Sequence, residues 1–166
     1  MKRLILMRHA KSSWADPGQR DHDRPLNGRG QRASAAVGGW LKAQGYLPGL
    51  ALVSSARRCQ ETWEGVVEAI GPAPTSVLPE LYHAEADDML AALRAAGQAE
   101  TVLMLGHQPG VGEFAARLVA DPPDHPAFDR YPTAATTVID FETSDWAAID
   151  WAGGRARDFV TPRGLE

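Results

Sequence analysis

Three short, nearly uninterrupted apolar runs, Leu4–Met7, Leu50–Val53 and Thr101–Leu105, constrain this chain more than any other feature. Each is too short to cross a membrane, and none shows the alternation of a strand with one wet face. Bounded as they are by turn residues, they read as strands buried on both faces. Between them, apolar residues recur at helical spacing. Asn27 is a good N-cap for a helix carrying Ala33, Ala36, Val37, Trp40 and Leu41, closed by Gly45. A second helix, with a serine N-cap at Ser54–Ser55, carries Cys59, Trp63, Val66, Val67 and Ile70 and stops at Gly71-Pro72. Val77 to Tyr82 reads as a short strand or an extended segment. Asp87 to Ala96 is a helix with Met89, Leu90 and Leu93 on one face, stopped by Gly97. Pro109 suits the first turn of a last helix with Val111, Phe114, Ala115, Leu118 and Val119. Thr136–Phe141 and Trp146–Trp151 are candidate edge strands. Strands alternating with helices predict one α/β domain over residues 1–166: three layers, with a mostly parallel sheet flanked by helices.

The ends of the strands carry the chemistry. The first stops at Arg8-His9, the second runs into Arg57-Arg58, and the third stops at Gly106-His107. In a parallel sheet these carboxyl ends share one edge, where open α/β sheets place their ligands. Helix N-termini after Ser55 and Gln108 would aim amides at the same region. Arginines, histidines and helix dipoles around one crevice suit a dianion such as phosphate. Net charge is −4, so no global basic field recruits nucleic acid, and an anion site must be a local cluster. There is no Gly-rich phosphate loop. The single cysteine, Cys59, excludes an internal disulfide and a thiolate metal cage. Lys2-Arg3 and the apolar run after it imitate a signal peptide, but Arg8 interrupts the run and no cleavage site follows. With no membrane-spanning stretch, a cytoplasmic protein is expected.

Other residues read blandly. Asp21-His22-Asp23 are consecutive loop residues that rarely converge on one metal ion. His83 and His125 lie in polar loops and read as solvated. Lys11, Ser12 and Arg24 either line a pocket mouth or sit in a solvated loop. The five tryptophans read as packing rather than a base-stacking platform.

Several segments together resemble the histidine phosphatase superfamily. Arg8-His9-Ala10 is similar to its Arg-His-Gly signature, and Pro25-Leu26-Asn27-Gly28-Arg29-Gly30 to its Pro-Leu-Thr-x-x-Gly segment. Ser54 to Thr62 resembles Ser-x-x-x-Arg-x-x-x-Thr, and Gly106-His107 the second-histidine motif. The short length, Gly106-His107-Gln108-Pro109-Gly110, Tyr131-Pro132-Thr133 and Trp146 resemble the SixA-type phosphohistidine phosphatases. The resemblance implies a phosphoglycerate-mutase-like fold and a phosphatase that needs neither metal nor cofactor. His9 would be the nucleophile; Arg8, Arg58 and His107 would bind the phosphoryl oxygens, with Ser12 beside them. Only one of Arg57 and Arg58 can face the pocket, and the family spacing selects Arg58. Leu78-Pro79-Glu80 resembles the segment in which mutases and small-molecule phosphatases carry a catalytic acid, so Glu80 is either a general acid or a surface glutamate. The implied substrate is phosphohistidine on a protein. The alternatives are a small phosphorylated metabolite or phosphate binding without turnover. Neither a nucleic-acid nor a membrane partner is expected, and a monomer is.

Overall fold

Along the first strand, successive side chains face opposite ways, and both ways are apolar. Leu4 and Leu6 enter one buried cluster while Ile5 and Met7 enter the other. That strand, β1 (Lys2–Arg8), can therefore lie only in the middle layer of three, and it does in this computed structural model, which describes residues 1–166. The other strands are β2 (Leu50–Ser54), β3 (Thr75–Leu78), β4 (Thr101–Gly106), β5 (Thr136–Phe141) and β6 (Gly154–Val160), in the sheet order β3-β2-β4-β1-β5-β6. The strands β1 to β4 are mutually parallel, and β5 runs antiparallel to both its neighbours. Two helices, α1 (Gly28–Gln44) and α2 (Arg57–Ile70), cover the Ile5/Met7 face through Val37, Leu41, Cys59, Trp63 and Val66. The opposite face is covered by α3 (Ala86–Arg94) and α4 (Gly110–Leu118) through Met89, Leu93, Val111 and Phe114. Each fully buried aliphatic side chain of β1 contributes about 2 kcal/mol.

The helix boundaries follow local chemistry. Asn27 caps α1, its Oδ1 accepting from the Gly30 amide at 2.8 Å, and Gly45 ends the helix at φ 76° in the left-handed region. Gly30 answers a close approach. A Cβ there would lie 2.1 Å from the Lys11 carbonyl, so the helix start can lean on the loop that follows His9. No membrane-crossing helix is present.

Four expectations need correction. The N-cap of α2 is Ala56, not a serine, and it makes no side-chain cap; the Ser54 hydroxyl has another partner, described below. The segment from Val77 is extended only to Leu78, and Pro79–Leu81 then forms a 3-10 turn. Thr136–Phe141 is not an edge strand: it is buried throughout because β6 covers its outer side. Trp146–Trp151 is not a strand either. Trp146–Ala148 is a 3-10 turn, and the edge is Gly154–Val160, whose Arg155 and Arg157 face solvent as edge charges commonly do.

Candidate active site

Register brings the two histidines together. In the parallel β1–β4 pair, Arg8 lies opposite Gly106, so His9 and His107 leave the sheet side by side. Their ring centroids are 5.2 Å apart, and both rings are buried. The His9 backbone is pinned on both sides, its N–H donating to the Gly106 carbonyl and its own carbonyl accepting from the Ala134 amide, each at 3.0 Å. The Ala10 N–H donates to Thr62 Oγ1 at 3.0 Å, which ties the turn to α2. His9 Nδ1 lies 2.7 Å from the Ala10 carbonyl. A carbonyl only accepts, so Nδ1 carries the proton and Nε2 keeps a free lone pair. Burial, helped by Arg58, Arg8 and Arg24, lowers the imidazole pKa from 6.5 to about 4.

His107 is held in the opposite tautomer. Its Nδ1 accepts from Arg58 Nη2 at 3.3 Å, so Nε2 carries the proton and donates to Ser54 Oγ at 2.8 Å. Burial, with His9 and Arg58 beside it, lowers its pKa to about 3. Cys59 lies 3.5 Å from His107 Nε2, and burial pushes its thiol up to about 12.

Arg58 points inward from the first turn of α2. It donates from Nη1 to the Asp21 carbonyl at 2.8 Å and from Nη2 to Asp21 Oδ2 at 3.1 Å. Its neighbour Arg57 is exposed and pairs instead with Glu61 at 2.7 Å. Arg8 reaches across from β1, donating from Nη1 to the Tyr131 carbonyl at 3.1 Å, while its buried Nε has no partner. Burial, and then Arg58, lowers the Arg8 pKa. Arg8, His9, Lys11, Ser12, Trp14, Arg24, Arg58 and Thr133 line a cavity of about 280 Å³. Ser12 is at its wall, its Oγ accepting from Arg24 Nη2. Arg24 lies over the exposed Trp14 ring at 3.3 Å.

Glu80 is not brought into this group. It is exposed in the Pro79–Leu81 turn and makes no hydrogen bond or ion pair. The tryptophans divide: Trp63 and Trp146 pack in the core, while Trp14 stands at the cavity mouth. His125 packs edge-on against Phe159 at 4.9 Å, and the exposed His83 stacks on Tyr82 at 3.9 Å.

Sequence reasoning missed the residue that organises the wall. Asp21 accepts from Arg58, from Arg24 at 2.8 Å and from the Tyr82 hydroxyl at 2.6 Å, and those bonds hold its carboxyl well below the usual carboxylate range despite the cost of burial. A hint was available in the i, i+3 spacing of Asp21 and Arg24; nothing in the sequence links either to Tyr82. His22 turns away to Ser55 Oγ at 2.9 Å, so Asp21-His22-Asp23 does not converge. Ser54 is not a cap, as its place before the helix suggests, but the partner of His107.

This arrangement offers an uncharged imidazole lone pair in a cavity that two guanidinium groups, Arg8 and Arg58, also line. Comparison with known proteins agrees with it. The family model of the histidine phosphatase superfamily (branch 1) matches residues 4–85, from β1 to the end of the Tyr82 turn. An uncharacterised chloroplastic protein of Arabidopsis thaliana is 36% identical over 128 residues, covering 70% of this chain; the match spans 59% of that protein's length. A candidate SixA phosphohistidine phosphatase of Nakamurella multipartitia superposes with a TM-score of 0.80 at 32% identity, covering 97% of this chain and 96% of that one. The protein histidine phosphatase SixA complexed with tungstate superposes with a TM-score of 0.81 at 26% identity, covering 99% of each chain. With β1, α2 and the strand-end histidines arranged as described, the chain belongs to the histidine phosphatase superfamily.

Proposed function

We propose that this phosphatase removes the phosphoryl group from phosphohistidine on a protein, through a phosphorylated His9. The observation that carries the reading is the fixed His9 tautomer: Nδ1 is committed to the Ala10 carbonyl, so a free Nε2 lone pair is left in the cavity that Arg8 and Arg58 line. Nε2 attacks phosphorus, and the bond from phosphorus to the substrate imidazole breaks. The substrate ring reacts in the form protonated on its other nitrogen, so it leaves with the electron pair as a neutral imidazole that keeps this proton. Arg8 and Arg58 hold the equatorial oxygens as their charge changes. A phosphoryl oxygen arriving beside His107 favours protonation of Nδ1, which turns this acceptor into a donor. Water then attacks phospho-His9, giving inorganic phosphate and returning His9.

The leaving group separates phosphohistidine from a phosphate ester. Imidazole departs as a weak base whose conjugate acid has a pKa of about 6.5, whereas an alkoxide must be protonated as it leaves. No carboxyl of the site is placed to supply that proton. Asp21 is ionised and bonded to two arginines and a tyrosine, and Glu80 stands outside on its turn. The test compares kcat/KM on a phosphohistidine peptide and on alkyl phosphates, for the wild type and Glu80→Gln. The expected result is phosphohistidine preference, with Glu80→Gln within about threefold of wild type on that substrate. A preference for a sugar or nucleotide phosphate, with a loss of about 10²-fold in Glu80→Gln, would transfer the assignment to a small-molecule phosphomonoesterase.

A further inference from the structure

Beside the catalytic cavity runs a second, larger groove of about 1100 Å³ that the mechanism does not use. Arg8, Lys11 and Thr133 line both, so the two are continuous. Its cations come from separate stretches of chain: Lys11 after the nucleophile, Arg29 and Arg32 on the first turns of α1, Arg130 before Tyr131, and Arg163 in the 3-10 turn Pro162–Leu165. All five side chains are exposed. None forms an ion pair or donates a side-chain hydrogen bond. Away from the groove, Arg3, Arg57, Arg94, Arg117 and Arg157 are matched to carboxylates, while Arg20, Lys42 and Arg155 are exposed and unpaired. Glu166 is the one acidic side chain on the groove wall.

In a chain of net charge −4, this concentration of unpaired positive charge is local. One phosphoryl group is already served by Arg8 and Arg58, so the groove has charge to spare for the rest of a substrate. Its open walls do not enclose a ligand as a small-molecule site does. Apart from His125 it has no aromatic ring on which bases could stack, which disfavours single-stranded nucleic acid. A protein surface carrying carboxylates next to the phosphohistidine matches both the charge and the openness.

We infer that the groove of Lys11, Arg29, Arg32, Arg130 and Arg163 is a docking surface for an acidic segment flanking the phosphohistidine of a protein substrate. This rests on the phosphohistidine reading above. The groove selects among phosphohistidine proteins by charge, and the cavity carries out the transfer. Its attraction is long-ranged and acts mainly on association, so salt weakens it.

The test uses two peptides phosphorylated on histidine, identical except for Asp and Glu or Asn and Gln at the flanking positions, together with free phosphohistidine. At low ionic strength the acidic peptide should be preferred by about tenfold or more in kcat/KM, with the preference collapsing as salt rises. In Arg32→Glu/Arg130→Glu/Arg163→Glu the preference should vanish while free phosphohistidine is turned over within about twofold of wild type. The neutralised Arg32→Gln/Arg163→Gln variant should fall between the two, which guards against misfolding of the triple reversal. Equal kcat/KM for the two peptides, or the same loss on free phosphohistidine as on the acidic peptide, overturns the inference. If no phosphohistidine compound is turned over, the functional reading fails on its own, and the groove is read by fluorescence anisotropy of the labelled, unphosphorylated acidic peptide. Binding by the wild type that the triple reversal abolishes supports docking. Absence of wild-type binding, or stronger binding of a single-stranded oligonucleotide, overturns it.

Discussion

Lowering the pH from about 7 to about 5 protonates His9 and His107 in the unfolded chain but leaves both neutral in the folded protein. Their ordinary value is 6.5, whereas burial and the surrounding cations hold them at about 4 and about 3 in the site. Across this window the unfolded state binds the additional protons, so stability falls as pH falls. Linkage gives about 2 kcal/mol per histidine, or about 4 kcal/mol for the pair. This figure requires only that both folded values lie below about 5; how far below does not change it. Asp21 acts elsewhere on the pH scale. Its folded value is depressed from 3.8, so its contribution is present above that value and is lost only in stronger acid. The assay is urea unfolding at the two pH values for the wild type, His9→Gln, His107→Gln and the double variant. The wild type should lose about 4 kcal/mol more than the double variant, with each single variant midway and the slope against urea unchanged. Equal losses in the wild type and the double variant would mean that these imidazoles are not held neutral, and the argument for a ready nucleophile would fall with them.

Arg58→Ala should lower kcat/KM by about 10²-fold, the usual loss for a preorganised donor to a developing charge, while Arg57→Ala should change it by about threefold or less. Steady-state kinetics check the ranking, and a larger loss in Arg57→Ala would contradict the inward placement of Arg58. Gly30→Ala sets a Cβ against the Lys11 carbonyl, so thermal unfolding should show a loss of about 2 kcal/mol or more, and activity should fall with displacement of the Lys11–Trp14 loop. An unchanged Tm would show that the loop can retreat.

The parts of this site that were legible in the sequence are those set by a strand's own ending. An apolar run that stops at Arg8-His9 or at Gly106-His107 announces both the strand and the polar group on its edge. The choice of Arg58 over Arg57 rests on the spacing of the resembled segment from Ser54 to Thr62, and in the structure Arg58 points inward while Arg57 pairs outside with Glu61. What was hidden depends on long-range contact. Asp21 sits in a loop with no periodicity, and its value comes from Arg58, 37 residues away, and Tyr82, 61 residues away. Ser54 looks like a helix cap because a serine before a helix usually is one, and only the neighbouring strand supplies His107 as a competing partner. At the sheet's far side, tryptophans drew attention to Trp146–Trp151, although the real edge, Gly154–Val160, is marked by charge instead of apolar residues. Nothing in the composition of Thr136–Phe141 shows its direction or that another strand covers it.

Cys59 bears on which atom of the protein receives the phosphoryl group. A sulfur beside an imidazole is often the better nucleophile, because the imidazole draws the proton off the thiol. Here that relation is broken from both sides. Nε2 of His107 already holds a proton and gives it to Ser54, and burial keeps the thiol protonated with its value near about 12. The sulfur faces the Gly106 carbonyl at 3.9 Å, the Ser54 hydroxyl, and at 3.5 Å a ring nitrogen that cannot act as its base. The interior therefore contains one lone pair ready for phosphorus and one chemically silent thiol. Under the proposed mechanism the covalent intermediate is then confined to nitrogen, and the same silence makes Cys59 a poor target for oxidants or thiol reagents.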